Sequence, residues 1–153
     1  MVEQLIETWN IHNRVNLYLL AAIPPDALGV VSSLKGRTVF QLFAHIHNVR
    51  LMWLKEAGPE LLDGLDKVEG TSGTHEQLSA ALESSGKAVE MLLRTSFEAS
   101  GRVRGFKPHA AAFLGYLIAH DAHHRGQMTM ILKALGLPLD NKTDYGMWEW
   151  GVR

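Results

Sequence analysis

The sequence predicts an all-α four-helix bundle. Two observations carry that expectation. Apolar residues recur at helical spacing through four long segments, and strong start and stop signals separate those segments. No strand-like alternation, internal repeat or low-complexity tract competes with this reading.

The first helix is expected from Glu3 to Ala22, with Leu5, Trp9, His12 and Leu19 on one stripe, and Pro24-Pro25 stops it. The second starts near Thr38, where Thr38-Val39-Phe40-Gln41 reads as a capping box, and ends at Ala57 before Gly58-Pro59. Its inward stripe reads Leu42, His45, Val49, Met52. Residues 58–73 form a long glycine-rich connection, read as a crossover. The third helix opens at a second capping box, Thr74 to Gln77, and runs to Glu98, with Leu78, Leu82, Val89, Leu92 and Leu93 facing in. Gly86 weakens it locally, by about 1 kcal/mol relative to Ala. The fourth starts at Pro108 and stops at Gly136, a natural C-terminal cap. The tail, 137–153, carries Tyr145, Trp148 and Trp150 and is expected to strap back over the bundle, because aromatic surface is costly to leave in water.

The bulk properties narrow the function. A chain of 153 residues fits one domain, 1–153. Formal net charge is -1, so there is no basic excess for a nucleic-acid partner. No segment reaches the ~18 apolar residues of a bilayer span, and Met1-Val2-Glu3-Gln4 lacks the start of a signal peptide. Cysteine is absent, which removes disulfides, thiolate ligands and Cys nucleophiles together. A cytoplasmic protein without a membrane partner is expected.

The eight histidines are many for this length. The fourth helix carries His120-Asp121-Ala122-His123-His124-Arg125-Gly126-Gln127, and its stripe runs Phe113, Leu117, His120, His124, Gln127, Ile131. His120 and His124 therefore interrupt an apolar seam at a spacing that lets two imidazoles converge on one ion. His45 adds a third from the second helix. Three neutral imidazoles with an open position form the arrangement of a catalytic metal site. The set suits zinc or nickel, with iron, copper or manganese as alternatives, rather than calcium or magnesium. The competing reading of each histidine is a hydrogen-bonded core residue without metal.

His12 reads as either a support of the site or plain core, and Gln127 as a support. His123 is expected to flank the site from the surface. Arg125 is either a contact for an anionic substrate or a solvated arginine. His47 is assigned to a surface or interface, His75 and His109 to solvent. Asp121 is read as pointing away from the seam, so no general base is evident. Mid-helix Gly126 suggests close approach of a neighbouring helix or a ligand. Trp53, Leu54 and the aromatic tail suggest a homodimer, since large apolar patches usually mark interfaces.

Phe43-Ala44-His45-Ile46 with Trp53-Leu54, then His120-x-x-His123-His124-Arg125-Gly126-Gln127, together with the stretch Trp9 to Asn16, resembles the DinB-like (YfiT-like) superfamily of metalloenzymes. The resemblance implies an up-down-down-up four-helix bundle, metal ligands at His45, His120 and His124, and frequent homodimers. It also implies activities such as thiol-dependent S-transfer with a small thiol cosubstrate, or metal-dependent hydrolysis. A non-catalytic metal-binding protein for stress response or partner binding is the alternative.

Overall fold

The structure, a computed structural model, describes residues 1–31 and 36–153. Among the described residues every regular element is helical. Four long helices, α1 (Val2–Ala22), α2 (Val39–Ala57), α3 (His75–Glu98) and α4 (Ala110–Ala134), are followed by a short α5 (Asn141–Gly146). Single 3₁₀ turns occupy Pro25–Ala27, Pro59–Leu62 and Trp150–Val152.

The helix ends follow local chemistry. Ile23, before Pro24, is extended and ends α1. The Thr38 box is complete: its Oγ1 accepts from the Gln41 amide at 3.1 Å, and Gln41 Oε1 accepts from the Thr38 amide at 2.9 Å. The Thr74 box is only half formed. Thr74 Oγ1 accepts from Gln77 N at 3.1 Å, while the Gln77 carboxamide lies against Gly73. The expected start of α4 at Pro108 moves to Ala110. His109 is extended and exposed, as expected, and its Nδ1 accepts from Ala112 N at 3.1 Å, so a solvent-facing histidine is the cap. His75, by contrast, is half-buried and bonds the Ile23 carbonyl at 2.7 Å. Gly136, at φ +73, ends α4: Leu137 N donates to Leu132 O and Gly136 N to Lys133 O, a Schellman pair.

Side-chain contacts tie the helices in pairs. Arg94 of α3 bonds Glu3 of α1, and His12 and Asn16 of α1 meet Asp121 of α4. Arg50 of α2 donates to Leu82 O of α3, and Trp53 of α2 packs on Tyr116 of α4. The 58–73 connection is pinned to α2. Asn48 donates to Val68 O and accepts from Val68 N, and Thr38 Oγ1 donates to Thr71 O.

The apolar core falls into two clusters. One gathers Leu19, Phe40, Phe43, Ile46, Leu78, Leu82, Met128 and Leu132, the other Ile6, Trp9, Leu51, Leu54, Val89, Leu93, Phe113 and Leu117. Between them along all four helices lies a buried polar layer: His12, Asn13 and Asn16, Arg50, Ser85, and Asp121. Helix α2 buries Phe43, Ile46, His47, Arg50 and Leu54, so the expected inward stripe is the flank of the true one and ends in solvent at Met52 (53% exposed). Leu54, taken for surface, is fully buried, and Trp53 packs on Phe106, Phe113 and Tyr116.

The tail does return to α1, but through polar contacts. Arg14 donates to Arg153 O at 2.8 Å, and the Arg153 guanidinium stacks 3.7 Å from the Tyr18 ring centre. The aromatic burial expected of it is met in part: Trp150 is half-buried, while Tyr145 and Trp148 are 71% and 80% exposed.

Two mid-helix glycines should respond oppositely to alanine. A Cβ at Gly86 would collide with the Asn13 carboxamide, which bonds Leu82 O and Arg50 and so cannot step aside. At Gly126 nothing among the described residues lies within 4 Å of an added Cβ, so no neighbouring helix approaches closely there. Gly86→Ala is expected to destabilise by about 1–3 kcal/mol, clash outweighing propensity. Gly126→Ala should stabilise by about 0.5–1 kcal/mol. Urea denaturation of the two variants checks both signs.

Candidate metal centre

Three histidines gather where α2 faces α4. His45, His120 and His124 each direct a ring nitrogen to a common point, and these atoms lie within 4.8 Å of one another. His120 Nε2 stands 3.3 Å from His45 Nε2 and 3.2 Å from His124 Nε2. Two nitrogens at about 2.0–2.1 Å from a tetrahedral ion stand about 3.3 Å apart, so the spacing already fits one.

The protonation pattern sharpens this. His120 Nδ1 lies 3.0 Å from Asp121 Oδ1, and His124 Nδ1 lies 2.8 Å from Gln127 Oε1. Both partners are acceptors, so each Nδ1 carries the proton and each Nε2 presents a lone pair. The 3.2 Å contact between His120 and His124 is then lone pair against lone pair. A shared cation turns that contact favourable.

Asp121 corrects the sequence reading. It points into the polar layer, 1% exposed, and every oxygen is used. Oδ2 accepts from His12 Nε2 (2.9 Å), Asn16 Nδ2 (2.9 Å) and Arg50 Nη2 (3.0 Å), while Oδ1 accepts from His120. Burial pulls its carboxyl pKa up, but the Arg50 charge and the bonds from His12 and His120 outweigh this and hold it well below the usual range. A carboxylate so placed orients a ligand histidine. The misreading came from treating His120 as the centre of the buried face. The seam runs through Leu117, Asp121, His124, Met128 and Leu132, and His120 sits on its flank.

The remaining candidates divide. Gln127 is exposed yet bonds His124, and His12 bonds Asp121 rather than the histidine group. His123 is exposed, its ring edge-on to His124 at 5.1 Å. Arg125 is half-buried and donates to Asn16 Oδ1 at 2.5 Å, so it is not a solvated arginine. His47 is buried, not at the surface. Its ring nitrogens meet the carbonyls of Ala81 (2.9 Å) and Asp66 (2.8 Å), away from His45. Arg50, Asn13 and Asn16 were missed altogether. Their signal was polar residues at core-facing helical positions.

Two grooves flank the centre. One, of about 710 Å³, includes Arg37, Leu42, Gln127 and Ile131; the other, of about 250 Å³, includes Arg37, His45, Asn48 and Glu69. A third cavity, between the end of α3 and residues 102–107, lies apart from the histidines.

A helical scaffold carrying three converging imidazoles defines a candidate metal-binding protein of the all-α class. A family model described as the DinB family matches residues 1–150, and the chain belongs to that family. A search of curated proteins finds no match.

The histidines give the metal-free protein an acid-labile fold. Burial lowers the pKa of His12, His47 and His124, and burial, the Arg37 charge and the neighbouring imidazoles lower that of His45 to about 4. The unfolded chain protonates near the ordinary value of about 6.5. Between these values the unfolded state binds protons that the folded state refuses, so stability is full above about pH 6.5 and falls as pH drops towards 4. Thermal melts in chelator from pH 8 to pH 5 should show a falling Tm, and added zinc should delay the fall.

Proposed function

We propose that the protein is a metal-dependent enzyme in which His45, His120 and His124 hold one divalent transition-metal ion, with zinc or nickel the first choices. The observation that carries this is the pair of Nδ1-protonated rings whose Nε2 lone pairs face each other 3.2 Å apart. Such an ion supplies a Lewis acid that lowers the pKa of a thiol or water in its open position. We place the protein with thiol-dependent S-transferases ahead of hydrolases. Asp121 is fully engaged by four donors and cannot serve as the base that water activation needs.

The chain's own residues prepare the centre. Asp121 fixes the ring and tautomer of His120, Gln127 does so for His124, and Arg50, His12 and Asn16 hold Asp121 in turn. An open position supports catalysis over a purely structural metal. Met52 is exposed and Trp53 is engaged with Phe106, Phe113 and Tyr116, so neither closes over the histidines.

The same reading takes the four long helices as an up-down-down-up bundle. Pairing of the α1 start with the α3 end through Glu3 and Arg94 supports it, as does the matching order of His12–Asp121 and Asn16–Arg125. It also includes a cytoplasmic homodimer, favoured by the exposed Met130, Leu135, Leu137 and Trp148. No described helix is long and apolar enough to cross a membrane.

Elemental analysis of protein purified without chelator should find close to one transition-metal ion per chain. His124→Ala should abolish uptake, whereas His47→Ala should lose stability but keep the metal. Loss of metal in His47→Ala but not in His45→Ala would refute the ligand assignment. Asp121→Asn should weaken metal affinity by about 10–100-fold in a competition titration.

A further inference from the structure

Arg37 precedes the Thr38 cap of α2 and stands beside the histidines. It lines both flanking grooves. In the larger it faces Leu42 of α2 and Met130, Ile131 and Ala134 of α4, a mainly apolar channel that reaches Gln127. In the smaller it joins Gln41, His45, Asn48 and Glu69, a polar wall. Arg37 is exposed, unlike Arg50 and Arg125, which the buried layer engages.

The charge balance around the histidines points the same way. Three neutral imidazoles contribute no charge to offset a divalent ion. Among the described residues the one carboxylate bonded to any of them is Asp121, and its charge is answered by Arg50. Glu69 on the smaller groove can offset Arg37 at most. The site is left electropositive, with a guanidinium at the junction of an apolar channel and the open face. A guanidinium fork matches a carboxylate in two parallel bonds.

We propose that Arg37 is a specificity-determining residue that selects a substrate or cosubstrate bearing a carboxylate, with its apolar stem along Leu42 and Ile131 and its reacting end at the histidines. This rests on the metal-centre reading, and the experiment separates the two. Cobalt(II)-loaded protein is titrated with 3-mercaptopropionate and with 3-mercapto-1-propanol, which have the same reach and differ in carboxylate against hydroxymethyl. Thiolate-to-cobalt absorption reads occupancy.

The expected result is tighter binding of the carboxylate by about fivefold, the upper range for an exposed ion pair, shrinking as salt is raised. Arg37→Gln should take up cobalt normally and bind both thiols alike, and Arg37→Lys should keep part of the preference. Equal affinities in the unsubstituted protein, an unchanged preference in Arg37→Gln, or no spectral response to either thiol would overturn the role of Arg37 while leaving the metal centre intact. Failure to take up cobalt would overturn the metal centre, and the selectivity with it.

Discussion

The buried pairing of Asp121 with Arg50 governs the middle of this molecule. Two full charges, each about 1% exposed, sit between two apolar clusters. Taking ions out of water costs several kcal/mol apiece, and attraction repays it only if the remaining donors and acceptors are satisfied. The surrounding layer meets that condition for all but two of its groups. His12 and Asn16 complete the carboxylate, and Asn13, Leu82 O and Ser85 take the other face of the guanidinium. Among the described residues Arg50 Nε and His12 Nδ1 are buried without partners. A layer of this kind is a poor source of net stability and a good source of specificity. Sliding α1, α2 or α4 by one turn would strand a buried charge, so the layer fixes helix register far more sharply than Leu-on-Leu contacts can.

That register sets the histidine geometry. His120 neighbours Asp121 in sequence, and the carboxylate reaches its Nδ1 while its other oxygen is held by α1 and α2. The position of α4 against its neighbours and the aim of one imidazole are therefore set by the same side chain. Gly86 extends the constraint to α3. Its missing side chain admits Asn13, which orients Arg50, and its carbonyl accepts from Trp9 Nε1 at 2.8 Å. A glycine that helix propensity reads as a weak point is a packing requirement.

The four long helices and the histidine group were legible in the sequence because each leaves a local mark. Proline pairs, the Thr38 box and Gly136 bracket the helices, and His120 and His124 repeat at one helical turn. The polar layer was not legible by the same rules. Apolar periodicity assigns a seam from hydrophobic residues and treats polar ones as solvated, so Asp121 and His47 were turned outward, Arg50 was passed over and the α2 stripe was rotated onto Met52. Their burial depends on partners distant in the chain, such as Arg50 with Asp121. The aromatic tail failed for the opposite reason. Transfer cost argues for covering Tyr145 and Trp148, but the segment is anchored by Arg14, Tyr18 and Arg153, which leave those rings outside.

The centre's position at the margin of the layer follows from what such a site must do. A metal-binding histidine needs a holder on one side, and a buried, fully bonded carboxylate provides one without competing for the ion. It also needs access on the other, which burial denies. His120 meets both demands because it lies one residue off the seam: its Nδ1 faces the closed layer and its Nε2 faces His45, His124 and the grooves. Had His120 occupied the seam itself, as an apolar stripe suggests, the layer would have enclosed it as it encloses Asp121. Asp121 and His124 take the seam, and His120 takes the flank facing α2.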